Sequence, residues 1–489
     1  MNTQAIQPDD SLLRLQAWGG NDELDDFETL MWQLDERPNL RAAVVGIEIL
    51  DCVPDWGRLV AAHELCLAAT PRLRSRIVET PLGLGNPGWS IDPGFRLDHH
   101  LRRVCLSSPG GLREVLDQAQ RLAMAPFDKS RSPWEALLVE GLADGSAAYI
   151  LKLHHSMTDG MGIVQLLGAA HSRSREPLPR TAPPRKAERE PSVNPAILLA
   201  RQWGRALSRL PATLSSHARG ARRLLGHEGK DAGDLLVDAL RYGASAQRVL
   251  AGKPVKGSPL LAKRNHRWHF EVMELPLSEL KAAARRAESS LNDAFVSGLM
   301  GGFARYHRRF GSVPSALPVS FPISLRTATD QAGGNRFVPG QFAAPLAEPD
   351  PVRRMQIVGR MVSKIRNEPA LELSLSIMPM LRRLPLGLVA EAMGERIASQ
   401  DLQLSNVPGI RDEVYLAGAR VTQLYPFAPL PGCAAMVTLV SHGPLCCIGL
   451  NLDEAAINRP ELLMQDLHES FAELLDSGHT TAAAGKSHA

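Results

Sequence analysis

An α/β protein of two lobes is what this sequence predicts, on three observations. Apolar runs of strand length alternate with helix-period stretches along most of the chain. A Pro- and Arg-rich segment interrupts that alternation near the middle. And 489 residues exceed what a single hydrophobic core usually holds.

The first lobe spans residues 1–170. Ala42–Leu50 and Ala148–Leu153 are β-rich apolar runs, and Trp56–Ala69 and Gly111–Met124 carry helical patterns. A connector follows over residues 171–266, opening with SRSREPLPRTAPPRKA from Ser172 to Ala187, which reads as surface chain. Over His171–Asn265, 19 Lys/Arg face 7 Asp/Glu. Inside it, Arg201, Arg205 and Arg209 recur every four residues, with Leu199, Trp203, Ala206, Leu207 and Leu210 opposite, so an amphipathic helix is predicted up to Pro211. Two roles stay open for it: packing on the lobes with a solvated Arg stripe, or lying on a membrane surface with Trp203 at the interface.

The second lobe spans residues 267–477. Trp268–Leu275 reads as its first strand, Leu277–Ser289 and Asn292–Arg309 as helices, and Pro460–Leu475 as the last helix. Val421 to Leu452 contains no Asp, Glu, Lys or Arg, but prolines and glycines break it, so it is not a membrane span. Cys433–Val440 and Leu445–Leu452 fit two buried strands instead. The tail, residues 478–489, is small and polar and is expected to be disordered.

Composition removes several functions. A formal net charge of +3 is no footprint for a nucleic-acid binder. The 6 cysteines show neither CxxC spacing nor a disulfide framework, which fits reduced thiols in a cytoplasmic protein. No apolar signal core opens the chain.

The segment that carries chemistry is Tyr149–Gly162, YILKLHHSMTDGMG. If Tyr149–His155 is extended, His155 shares a face with Leu151 and Leu153, and His154 points the other way with Lys152. Adjacent histidines thus have different tasks. A metal site is disfavoured, because neighbouring histidines rarely share one ion and no further ligand cluster stands nearby. Two core histidines before an Asp/Gly turn is the plain alternative. General-base catalysis is the third reading, since a neutral imidazole at a strand end removes a hydroxyl proton near neutral pH.

His154-His155-Ser156-Met157-Thr158-Asp159-Gly160 is HHxxxDG, and its surroundings resemble the bacterial wax ester synthase/acyl-CoA:diacylglycerol acyltransferase family. Pro126–Glu135, PFDKSRSPWE, is similar to that family's PLDRSRPLWE stretch, and Pro71–Arg76 and Phe95–His100 resemble two further segments. In the second lobe, Asn292-Asp293, Pro322–Arg326, Gly334–Phe337 and Ser405–Gly409 resemble its ND, PVSLR, GN and SNVPG segments, in matching order. The departures are Phe127, Lys129 and Ser132-Pro133, where the family usually has Leu, Arg and Pro-Leu. His99-His100 lacks the DG and reads as structural or solvent-facing.

The resemblance implies a two-lobe fold like chloramphenicol acetyltransferase and the condensation domains, with the active site between lobes. It implies direct transfer of a long-chain acyl group from acyl-CoA, a co-substrate, to diacylglycerol, or alternatively to a fatty alcohol, with no cofactor and no metal. The site residues it implies are His155 as general base with His154, Asp159 and Gly160 beside it. Asn292, Ser324 and Asn406 would line the substrate site, and Arg74, Arg326 and Asp293 would support it. Asp159 would be held by Arg74 rather than forming a triad with His155, although Asn292-Asp293 also fits plain helix capping. The protein would sit peripherally at the inner membrane face or on lipid inclusions. A condensation-type catalyst using carrier-bound acyl groups and a catalytically weak lipid-binding or interaction protein are the competing readings.

Overall fold

The structure, a computed structural model, describes residues 21–177, 193–204, 255–324, 335, 337–368, 381–382 and 384–476, together with residues 15, 18 and 19. Arg205, Leu207, Arg209, Leu210, Arg326, Gly334, Arg336 and the 478–489 tail lie outside the described residues.

In the first half run strands β1 (Ala43–Leu50), β2 (Ser75–Val78), β3 (Gly88–Ile91), β4 (Leu101–Gly110), β5 (Trp134–Leu142) and β6 (Ala147–His154), with helices α1 (Asp26–Leu34), α2 (Trp56–Ala69), α3 (Leu112–Met124) and α4 (Gly160–Ala170). In the second run β7 (Trp268–Pro276), β8 (Ala316–Ser324), β9 (Phe337–Pro345), β10 (Leu402–Val407), β11 (Tyr415–Leu416), β12 (Ala419–Phe427), β13 (Ala435–His442) and β14 (Leu445–Asp453). Its helices are α5 (Leu277–Arg286), α6 (Leu291–Arg309), α7 (Pro351–Arg366), α8 (Leu386–Ala398) and α9 (Pro460–Asp476). The predicted helices and strands therefore form close to where their periodicity placed them.

Two six-stranded sheets organise the chain, in the orders β11-β12-β1-β6-β5-β4 and β7-β14-β13-β10-β8-β9. Helices α2 and α4 pack together beside the first sheet, while α3 touches both β1 and β7 and so lies between the two. Phe127, Phe270, Tyr425 and Phe427 share one buried cluster with residues of α3, and the Phe270 and Phe427 rings stack at 4.0 Å. Such an apolar seam makes the two lobes one packing unit. The second sheet packs against α5, α6, α7 and α9 in a separate core.

The division at residues 171–266 does not separate the lobes as the linear reading expects. Tyr415–Phe427 belongs to the first sheet, where β12 runs antiparallel to β1 from Val45↔Phe427 to Leu50↔Val421. The sequence hides this strand because Pro426 looks like a breaker. It is tolerated because β11 pairs with β12 only at its start, through Tyr415↔Arg420 and Leu416↔Ala419, leaving Pro426 on an edge. Nearby, a Cβ on Gly449 would stand 2.0 Å from the Pro426 carbonyl oxygen, so β14 approaches β12 this closely only with glycine there.

Candidate active site

β6 is buried along its whole length and ends at the two histidines. His155 N–H donates to Ala42 O at 2.8 Å and Met157 N–H to His154 O at 2.9 Å, which fixes the turn after the strand. Asp159 then caps α4: its Oδ1 accepts from Gly162 N–H at 3.1 Å, leaving the motif's carboxylate with the helix start it presents.

The two imidazoles hold opposite tautomers. His154 is fully buried among Trp32 and Phe127, whose rings meet it edge-on at 5.1 and 5.5 Å. Ser156 N–H donates to His154 Nδ1 at 3.1 Å, so that nitrogen carries the lone pair, and Nε2 faces Asp35 Oδ1 at 3.5 Å. The His154 ring, placed beside His155 in the motif, is thereby enclosed in the packing on its own face of the strand. His155 is the reverse. Asn335 Nδ2 donates to His155 O at 2.8 Å and to Glu28 Oε1 at 3.1 Å, two acceptors that only the amide nitrogen satisfies. The Asn335 oxygen therefore faces His155 Nδ1 at 2.9 Å, and Nδ1 must carry the proton. That leaves the Nε2 lone pair as the basic atom. Burial lowers the His155 pKa below its ordinary value, against the opposing pull of its own carbonyl and of Asp159, so the ring is neutral at pH 7.

Glu28 anchors this arrangement. Asp25 and Glu28 form a capping box on α1, with Glu28 N–H to Asp25 Oδ1 at 2.7 Å and Asp25 N–H to Glu28 Oε2 at 3.1 Å. One carboxylate oxygen thus closes the helix and the other holds Asn335. Burial, then the neighbouring Asp25 charge, pushes the Glu28 carboxyl up to about 7.

The second lobe supplies a wall. Phe337, which opens β9, lies 5.9 Å from the His155 ring and 5.6 Å from Phe27. Ser324 pairs with Phe337 across the β8–β9 ladder, so the predicted serine stands beside this wall. Asn406 precedes Val407 on β10, and Val407 packs at Gly160: a Cβ there would meet Val407 Cγ2 at 2.9 Å. Gly160→Ala is accordingly expected to wedge β10 away from α4, lowering the melting temperature through the ~1–3 kcal/mol that overpacking costs and cutting kcat by about tenfold. Unchanged turnover would show that this contact is not tight.

Asn292 and Asp293 lie in the first turn of α6. There Ser290 is the cap, with Ser290 N–H and Asp293 Oδ2 at 2.8 Å completing a second capping box. Asp293 is thus a helix-start support; Asn292 is half-buried beside it. Arg74 ends a short helical turn and its carbonyl accepts from Asp92 N–H at 2.8 Å. Asn335 and Glu28 are the residues that sequence reasoning left without a role. The Gly334–Phe337 segment could have pointed to the first, and only the D-x-x-E capping pattern marks the second. No group of His, Cys, Asp and Glu suited to a metal ion occurs among the described residues.

A neutral histidine at a strand end of the first lobe, bonded through Asn335 to the second, sits in a two-lobe α/β fold whose sheets meet along one apolar seam. Solved relatives in fold include the wax ester synthase/diacylglycerol acyltransferase of Marinobacter aquaeolei VT8, with TM-score 0.63 and 18% identity over 94% of this chain and 100% of that one. The first condensation domain of the calcium-dependent antibiotic synthetase follows at TM-score 0.57 and 16% identity, covering 94% and 97%. The wax ester synthase/diacylglycerol acyltransferase catalytic domain matches residues 27–295, and the C-terminal domain of the same family residues 333–475. The chain belongs to the wax ester synthase/diacylglycerol acyltransferase family. A Mycobacterium tuberculosis H37Rv protein, Rv2484c, provisionally named a diacylglycerol O-acyltransferase, is 37% identical over 93% of this chain and 92% of its own length.

Proposed function

We propose that this acyltransferase moves a long-chain acyl group from acyl-CoA to diacylglycerol, forming triacylglycerol, with His155 as general base; a fatty alcohol is the alternative acceptor. The observation that carries this reading is the Nδ1–H tautomer of His155, which aims a lone pair on Nε2 away from Asn335. Nε2 takes the acceptor hydroxyl proton as the oxygen attacks the thioester carbonyl. The tetrahedral adduct collapses with cleavage of the C–S bond, and the imidazolium returns its proton to the departing CoA thiolate. No acyl-enzyme forms. Asn292, Ser324 and Asn406 as substrate contacts, and Arg74 and Arg326 as supports, come to this chain from the family resemblance.

The test is CoA release from palmitoyl-CoA with dioleoylglycerol and hexadecanol offered separately. Acceptor-dependent release ranks the two lipids; release indifferent to both, or none, returns the protein to a lipid-binding role. The same assay gives a pH profile. Because burial holds His155 below its ordinary pKa, its acid limb is expected below pH 6.5, with rate rising as the ring loses its proton. A limb above that value would mean another group is titrating.

The proposal includes peripheral lipid contact, on the exposed apolar side chains of one surface region; no described helix is long and apolar enough to cross a membrane. Residues 195–204 are helical and dock on the 81–87 loop through Gln202, which accepts from Asn86 N–H at 2.9 Å and donates to Asn86 O at 2.7 Å. Of the two roles left open for this helix, packing on the lobes would bury Trp203, but Trp203 is 56% exposed; Ile197 at 52%, Leu84 at 54% and Leu82 at 93% are exposed on the same two segments. Leu82 is held at φ 54, a left-handed conformation that a leucine adopts at a cost. These two segments carry one charged side chain, Arg201, and no acid. Such a face suits an anionic lipid surface. Leu82→Asp is expected to weaken co-sedimentation with phosphatidylglycerol vesicles about tenfold, on the ~1.5–3 kcal/mol that burying a leucine contributes. Equal partitioning of the variant would remove this loop from the contact.

A further inference from the structure

Strand alternation sorts the side chains of the second sheet onto two faces. Leu317 and Val319 of β8, Phe342 and Ala344 of β9, and Leu402 and Leu404 of β10 all join the core beneath the helices of the second lobe. Ser320, Gln341, Gln403 and Ser405 therefore take the opposite face, the one that also carries Phe337, whose ring stands 5.9 Å from that of His155. The ladders bring three of them into line: Gln341 pairs with Ser320, Ser320 with Gln403, and Gln403 with Met436 of β13. Met436 belongs to the apolar seam that joins the lobes, so the row starts where the lobes touch and runs outward to Gln341 on the edge strand. Ser405 lies two residues nearer the strand end, where Val407 packs at Gly160.

These polar groups are left unused by the fold. Ser320 is 6% exposed, and Gln341, Gln403 and Ser405 are half-buried. None of the four makes a side-chain hydrogen bond among the described residues, and their polar atoms, unlike the hydroxyl of the neighbouring Thr438, are not sealed from solvent. Because β10 is an interior strand, partial exposure of Gln403 and Ser405 requires open space above this face of the sheet. Polar side chains on a largely covered sheet face are normally paired, so four together without partners point to a ligand that supplies the missing bonds. That ligand is uncharged where it meets them, since β8, β9 and β10 contain no Asp, Glu, Lys or Arg. Glutamine amides and serine hydroxyls donate to carbonyl oxygens.

We propose that Ser320, Gln341, Gln403 and Ser405 form a recognition site for neutral carbonyl groups of a substrate, beyond Phe337 from His155. At a strand spacing of about 4.8 Å the three-residue row spans roughly 10 Å, and Ser405 stands roughly 7 Å along β10 from Val407, so carbonyls at two depths can be met. Two sources share that chemistry: the ester groups of diacylglycerol, which a simple fatty alcohol lacks, and the amides of the pantetheine arm of acyl-CoA. The inference rests on the acyl-transfer reading only for the names of these substrates.

The experiment compares the full-length protein with the Gln341→Leu/Gln403→Leu double variant and with Ser405→Ala. Replacing an unpartnered, half-buried amide by a leucine of similar volume leaves no bond broken, so the melting temperature is expected to hold. Binding is read by titration calorimetry with S-hexadecyl-CoA, a thioether that cannot transfer its chain, and by fluorescence titration with dioleoylglycerol and with hexadecanol. The double variant is expected to bind dioleoylglycerol or S-hexadecyl-CoA about tenfold more weakly, with Ser405→Ala weakening the same probe and hexadecanol binding as before. Loss toward dioleoylglycerol assigns the row to the acceptor esters and makes it the determinant of acceptor class; loss toward S-hexadecyl-CoA assigns it to pantetheine. Unchanged binding of both probes overturns the site, as does an equal loss toward hexadecanol, which has no carbonyl. Neither arm requires turnover, so a parent protein that binds these probes yet releases no CoA would overturn the acyl-transfer reading and leave this one standing.

Discussion

The His155→Ala protein is expected to fold normally and to release CoA about 10²–10⁴-fold more slowly, the range that a positioned general base contributes. The structure separates those two effects. The His155 ring is half-buried and meets Phe337 at 5.9 Å, so its removal opens little packed volume. What is lost is the acceptor on Nε2, and no other described side chain in the site offers a neutral base in its place. The paired control is His154→Ala, which should do the opposite. It empties a space enclosed by Trp32 and Phe127 and strips Ser156 N–H of its acceptor. A cavity plus a buried unsatisfied donor costs several kcal/mol, on the order of 3–5. Thermal unfolding beside kcat resolves the two: the first variant keeps its melting temperature and loses rate, and the second loses melting temperature. A His155→Ala enzyme with full turnover would remove this residue from the reaction.

Asn335 should matter nearly as much. With Asn335→Ala the His155 ring loses the oxygen that selects its tautomer, and Glu28 loses the donor between the lobes. A fall in kcat of about 10–100-fold is expected, with the KM for acyl-CoA little changed, since a hydrogen bond involving a charged partner is worth ~1.5–3 kcal/mol. Asn335→Asp is the sharper probe. The introduced carboxylate would face the His155 carbonyl and the Glu28 carboxylate, two acceptors in place of two donor contacts. Its proton would be retained to higher pH by that repulsion, and the neutral form restores one donor. Asn335→Asp is therefore expected to gain activity as pH falls from 8 toward 6.5, a range over which the parent enzyme stays on its plateau. Parallel pH profiles for parent and variant would show that Asn335 acts only by filling space.

Much of this was readable in the sequence because its causes are local. The alternation of β6 gave the two histidines different faces, and the capping residues Asp159 and Ser290 sit where their side chains meet the next helix start. The site's far half has no such local cause. Asn335 lies 180 residues from His155 and Glu28 lies 307 from Asn335, and nothing in either segment names its partner. The same holds for β12, whose assignment to the first sheet depends on the free edge of β1 rather than on its own composition. Trp203 shows a subtler limit. Helical periodicity groups residues on a face, but the docked side was chosen by Leu198 and Gln202 against the 81–88 loop.

The late arrival of β12 also has a consequence for how the chain is made. Until residue 427 leaves the ribosome, β1 has β6 on one side and an open hydrogen-bonding edge on the other. Val45, Ile47 and their neighbours would then be presented along an unpaired strand for the synthesis of several hundred further residues. An isolated fragment ending at residue 170 should accordingly self-associate, and the intact protein should gain its protease resistance only after translation passes β12.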